Sequence, residues 1–91
     1  MALDIGMCAT RINMQIWERQ SQFNCGNSRN KIDYINPHYD GSSIHMEIGM
    51  TLASRSYYQD VKESLASVIQ MIRRELGIPY PVTFEIGYVL V

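Results

Sequence analysis

The segment SIHMEIGMTL, residues 43–52, alternates apolar and polar groups along its length. Its even-numbered residues, from Ile44 to Leu52, are apolar, whereas the residues between them, from His45 to Thr51, are polar or glycine. This period of two is typical of a strand that buries one face and leaves the other in solvent. The segment therefore predicts a half-buried β-strand.

The centre of this strand, MEIGM at residues 46–50, follows a pattern of apolar, acid, Ile, Gly, apolar that occurs three times. The other copies are LDIGM at residues 3–7 and FEIGY at residues 84–88. Three such strands would bring Asp4, Glu47 and Glu85 onto one face, about 5 Å apart on neighbouring strands, where like charges need a cation or a basic partner. The alternative is that short patterns recur by chance and that solvated charges protect the sheet from aggregation.

A long helix is predicted over residues 57–76, because apolar residues recur there at helical spacing. Ser56 and Gln59 fit a capping box at its start, and Gly77 followed by Pro79 fits its end. A closing strand is predicted over residues 82–91, and its length matches that of the helix. The apolar stripe of the helix consists of Tyr58, Val61, Leu65, Val68, Ile69, Ile72 and Leu76.

Residues 3–17 also alternate, but the apolar phase changes near Ala9 and Thr10, which predicts one strand with a bulge. A flexible loop over residues 20–30, a short strand over 31–36 and a turn over 37–42 follow. The order β-β-β-α-β predicts an α+β fold: a small four-stranded mixed β-sheet with one long helix packed on one face, as a single domain over residues 1–91. The last strand should run parallel to the strand before the helix.

Composition narrows the classes of function. The chain has 91 residues, 46% of them hydrophobic, and a net charge of -1. This balance gives no long-range field for nucleic acid, which is therefore not an expected partner. Cys8 and Cys25 have no metal or disulfide spacing and suggest free thiols in the cytoplasm. No signal sequence or membrane-length apolar run occurs, and we expect no membrane association and no cofactor.

The sequence contains no catalytic motif, and we expect a non-enzymatic protein-binding module of the inhibitor or adaptor type. A phage or mobile-element anti-defence protein is one example of that type. The partner would bind the open sheet face or a strand edge, where aromatic and charged groups favour contact. The alternatives are an oligomeric domain binding a small ligand or divalent metal through His45, Glu47 and Glu85, and thirdly an enzyme. The predicted partner-binding residues are Arg11, Gln15, Trp17, Tyr39, His45, Glu47 and Glu85.

The last strand also suggests self-association. Its end, YVLV at residues 88–91, is apolar in both phases and contains no Pro or Lys. An edge strand without such protection invites pairing with another strand. We therefore expect a homodimer that forms by strand pairing or by face-to-face packing.

Overall fold

The computed structural model describes residues 4–91 and shows an α+β fold with a three-stranded mixed sheet and two α-helices. Short 3-10 turns precede β1 and α2. In chain order the elements are α1 (Ile5–Glu18), β1 (Lys31–Tyr39), β2 (Ile44–Leu52), α2 (Tyr58–Leu76) and β3 (Val82–Leu90).

The strand β2 is the centre of the sheet, and its two neighbours run in opposite directions. β1 pairs with β2 antiparallel, with an irregularity between Ile32 and Tyr34. β3 pairs with β2 parallel and without a break, from Ile44 opposite Val82 to Leu52 opposite Leu90. The prediction that the strands before and after the long helix are parallel is confirmed.

The prediction of a fourth strand is wrong, because residues 5–18 form α1. Its buried residues are Cys8, Ala9, Ile12 and Ile16, and Ile12 lies three residues after Ala9 and four residues before Ile16. One helical stripe thus accounts for both phases that suggested a bulged strand. Asp4 is the N-cap, and its Oδ1 accepts a hydrogen bond from the Gly6 N–H at 2.8 Å. Leu3, the first residue of the predicted strand, lies outside the described residues.

The helix α2 agrees with the prediction except at its first turn. Most of its apolar stripe is buried, and Gly77 ends it with a left-handed φ of 63°. The expected capping box is absent from this part of the chain. Ser56 lies in the 3-10 turn before α2, where its hydroxyl pairs with that of Ser54 at 2.7 Å. The preceding turn, and not a side-chain cap, therefore leads the backbone into the helix.

Both helices cover the same face of the sheet and enclose one hydrophobic core. The even-numbered residues of β2, from Ile44 to Leu52, are buried against the helices. The corresponding residues of β3, Phe84, Ile86 and Tyr88, are only partly buried because β3 is an edge strand. The odd-numbered residues of these strands point to the opposite face, which no described helix covers.

Two connecting segments differ from their predictions. β1 continues through Pro37 to Tyr39, so the hairpin turn lies at Asp40–Ser43 and not at residues 37–42. The segment 20–30, predicted to be a flexible loop, packs onto the core through Phe23, which is buried. Buried Asn30 fixes its end, because Nδ2 donates to the Asn24 carbonyl at 2.9 Å and Oδ1 accepts from the Ala53 N–H at 2.8 Å. Phe23 and Asn30 thus attach the segment to the rest of the structure.

Candidate functional site

The sheet face turned away from the helices, hereafter the open face, is the candidate site. Its side chains form rows across the three strands, because register partners on neighbouring strands lie about 4.8 Å apart. The open face consists of Lys31, Asp33, Tyr34, Asn36 and His38 on β1; His45, Glu47, Gly49 and Thr51 on β2; and Thr83, Glu85, Gly87 and Val89 on β3.

An aromatic ring and a bare strip of backbone occupy one row of the open face. Tyr34 lies opposite Gly49, and Gly49 lies beside Gly87. The Tyr34 ring rests on Gly49 so closely that a Cβ there would overlap it, whereas a Cβ on Gly87 would meet no atom within 4 Å. A shallow depression next to the ring includes Gly87 and Val89. Of the two glycines on the open face, Gly87 is therefore bare, whereas Tyr34 covers Gly49.

A polar cluster links β2 to β3 in another part of the face. His45 Nδ1 lies 2.8 Å from Thr83 Oγ1, and His45 Nε2 lies 3.3 Å from Glu85 Oε1. The His45 and Glu85 side chains are 41% and 62% exposed. A hydroxyl, an imidazole and a carboxylate in contact are the groups of a nucleophilic relay. Here they lie in solvent on a flat surface, where an ion pair is screened and worth little.

The acidic groups of the open face are poorly balanced. Glu47 and Glu85 are direct neighbours across the strands. Glu47 accepts a hydrogen bond from Asn36 Nδ2 at 2.9 Å, and within residues 4–91 the ion-pair partner of Glu85 is His45. A third acid, Asp33, accepts from the Thr51 hydroxyl at 2.7 Å. Lys31 is the one lysine or arginine among the residues of this face, so the face favours a cationic partner.

The predicted three-acid cluster is therefore partly wrong. Asp4 caps α1 and is not on the sheet. Two arginines that could have balanced the acids, Arg11 and Arg19, also lie off the open face. Arg11 is on α1, and Arg19 pairs with Glu75 of α2. Only Glu47 and Glu85 come together as predicted.

The predicted partner-binding residues fall into three places. His45, Glu47 and Glu85 lie together on the open face. Arg11, Gln15 and Trp17 lie on α1, on the other side of the sheet, so their predicted placement on the open face is wrong. Trp17 is 39% exposed there, and Gln15 accepts from Arg19 Nε at 3.1 Å. Tyr39 lies at the end of β1 with its hydroxyl next to Gly6 of α1.

Sequence reasoning missed Tyr34, Asn36 and Asp33 as members of the face. Their positions depend on the irregularity in β1, which shifts the register after Ile32. One signal was present: Ile32 and Ile35 are both buried but three residues apart, a spacing that an unbroken strand cannot bury on one face. That spacing could have indicated a bulge.

No protein-family model, curated protein or solved structure matches this chain. No helix within residues 4–91 is long and apolar enough to cross a membrane. Across the same residues, no group of three or more His, Cys, Asp or Glu side chains is placed to hold a metal ion. The open face and the sheet edges are therefore the features of the molecule that bear on its function.

Proposed function

We propose that the protein is a non-enzymatic protein-binding module whose open face binds a basic segment of another protein. The observation that carries this proposal is the uncovered face of β2 and β3, where Glu47 and Glu85 lie side by side next to an exposed aromatic ring. Cationic side chains of a partner would balance the carboxylates. Tyr34 and the bare backbone at Gly87 would supply a flat contact area.

The shape of the face supports a protein partner over a small molecule. Small-molecule sites are usually concave and bury most of their ligand. The open face is a sheet surface with shallow depressions, one at Gly87 and another beside His38 and His45. The alternative of a small-ligand or metal site draws on His45, Glu47 and Glu85, and the relay-like Thr83–His45–Glu85 cluster is the feature that an enzyme would use. The side chains of both alternatives are exposed on a flat face, and such a surface is better suited to contact with a protein.

We also propose that the protein acts as a stoichiometric inhibitor or adaptor, as a phage or mobile-element anti-defence protein would. The second additional proposal is that it is located in the cytoplasm. Buried Cys8 and exposed Cys25 are both free thiols, which persist in a reducing compartment.

The test is a selection of peptides from a random library on the immobilised protein, followed by mapping of the bound peptide by NMR. We expect the selected peptides to be rich in Lys and Arg and to shift the amide signals of open-face residues on β2 and β3. Binding should weaken at least fivefold in Glu85→Gln and should weaken with added salt, because the contact is between exposed charges.

Glu63→Gln is the matched control, because it also removes one carboxylate. Glu63 is exposed on α2, away from the open face, and accepts a hydrogen bond from Gln59 Nε2 at 3.2 Å. Trp17→Ala tests the other surface, on α1. Peptides that map to α1 and lose affinity in Trp17→Ala, or that respond equally to Glu63→Gln and Glu85→Gln, would contradict the proposal. A thermal shift with divalent cations that Glu85→Gln abolishes would favour the metal-site alternative.

A further inference from the structure

The outer edge of β3 presents a regular row of unpaired backbone groups. The Ile44 N–H donates to the Pro81 carbonyl and the Val91 N–H donates to the Leu52 carbonyl, both at 3.0 Å. In a parallel ladder alternate residues of a strand direct both backbone groups to the same neighbour. The odd-numbered residues of β3 therefore bond to β2. The N–H and C=O groups of Val82, Phe84, Ile86, Tyr88 and Leu90 point to the outer edge, where no described strand lies.

The two edges of the sheet differ in protection. β1 contains Pro37, an irregularity, and the charged residues Lys31 and Asp33, all of which discourage strand addition. In addition, the Gln20 side chain accepts a hydrogen bond from the Ile32 N–H at 2.9 Å and so covers part of that edge. β3 has none of these features and is regular over nine residues, with Glu85 as its one charge.

We propose that the occupant of the β3 edge is the β3 strand of a second copy of this chain, paired antiparallel about Ile86. Such a dimer would join the two sheets into one continuous sheet with all helices on one side. This inference is independent of the open-face proposal, because it uses the backbone edge of β3 and not the face.

The register follows from the residues of β3. Centring on Ile86 pairs all nine residues, with Val82 opposite Leu90 of the second copy and Phe84 opposite Tyr88. The half-buried Phe84 and Tyr88 would then cover each other as a cross-strand aromatic pair. Glu85 would face Gly87. A shift that centres the pair on Glu85 would place two carboxylates directly opposite, which is unfavourable.

Burial also supports this occupant. Val89 and Leu90 are 62% and 49% exposed, and Phe84, Ile86 and Tyr88 are only partly covered on the helix side. In this register Leu90 would face Val82 of the second copy on the helix side, and Val89 would face Thr83 on the open face. The edge would thus gain backbone hydrogen bonds and lose exposed apolar surface together.

The experiment combines sedimentation with disulfide mapping. We expect the natural chain to sediment as a dimer at about 100 μM, well above a micromolar dissociation constant. For mapping, the exposed Cys25 is replaced by Asn, a residue that tolerates its positive φ of 57°, while buried Cys8 is kept. Glu85→Cys and Gly87→Cys are then made separately in this background. Gly87 has room for a side chain, and residues 85 and 87 of opposite copies would form a close pair suited to a disulfide.

An equimolar mixture of the two cysteine variants should give a disulfide-linked heterodimer at least tenfold faster than either variant alone links to itself. That result supports the dimer and its register. A chain that sediments only as a monomer overturns the proposal. So does a dimer in which Glu85→Cys or Gly87→Cys links to itself faster than the mixture links, or in which no link forms, because the contact is then elsewhere.

Discussion

Gly49 shows how one missing side chain shapes the open face. The Tyr34 ring occupies the space where a Cβ would lie, so the tyrosine covers the backbone of the central strand. Aromatic side chains placed over a strand glycine compensate for its lack of packing. This contact ties β1 to β2 on the solvent side of the sheet, which no described helix covers.

Gly49→Ala should therefore destabilise the protein by about 1 kcal/mol or more, because the ring must leave its place. Gly87→Ala is the matched control: its Cβ meets nothing within 4 Å, and restriction of the unfolded chain should stabilise the protein by roughly 0.4–1 kcal/mol. Urea denaturation measures both changes. Equal effects of the two substitutions would show that the position of the Tyr34 ring does not require a glycine at residue 49.

The hairpin between β1 and β2 is the element whose stability should depend most clearly on pH. Asp40 Oδ1 accepts hydrogen bonds from the N–H groups of Ser42 and Ser43 at 2.7 and 2.9 Å. These bonds to Ser42 and Ser43 hold the pKa of Asp40 below its ordinary value of 3.8. The carboxylate therefore favours folding above pH 3.8, and this contribution is lost as the pH falls through the lower folded-state pKa.

Asp40→Asn keeps an oxygen acceptor in the turn but removes the titration. We expect the free energy of unfolding of the natural chain to fall more steeply than that of the variant between about pH 4 and pH 2. Chemical denaturation across that range checks this expectation, with Asp60→Asn on α2 as the control for loss of a carboxylate. Parallel pH profiles for the natural chain and Asp40→Asn would contradict it.

At the same scale, α2 and β2 were predictable because each has a single strong period, and β3 was predictable because residues 82–88 alternate. α1 was not, because residues 5–16 fit two periods at once. Alternation with a phase change describes them, and so does a helical stripe through Cys8, Ile12 and Ile16. Asp4 directly before the stripe was the signal for a helix start, since its carboxylate caps the first turn. The repeated pentapeptide at residues 3–7 indicated a strand instead, because it alternates like the other two copies.

The candidate site, like the fold, was predictable where its residues lie on strands with a regular pattern. His45, Glu47 and Glu85 share a face because they lie on regular strands with one parallel register. Trp17 was misplaced together with α1. Tyr34 was missed because its position depends on the irregularity in β1, and alternation within a strand cannot show which partner residue lies opposite.

At the scale of the whole molecule, a sheet with helices on one side has a gradient of burial from centre to edge. Ile48 on β2 is fully buried, whereas Ile86, its register partner on β3, is only partly buried. Ile48→Ala should cost about 2–5 kcal/mol, because it leaves a cavity that the packed helices cannot close.

Ile86→Ala should cost less than half as much in the monomer, because solvent already reaches the side chain. Both free energies of unfolding are measured by denaturation below about 1 μM protein, so that self-association does not contribute. Equal losses at the two positions would show that β3 is as well covered as β2.

β2 pairs with one strand that is close in sequence, β1, and with one that is distant in sequence, β3, and this has a consequence during synthesis of the chain. As the chain leaves the ribosome, β1 and β2 can form their hairpin at once, because only a short turn separates them. The other edge of β2 must wait until α2 and β3 have been made, since its parallel partner follows the helix. During that interval the strand that is most deeply buried in the finished protein has one open edge. An open strand edge can pair with another chain, so we expect half-made chains to be more prone to association than the finished protein.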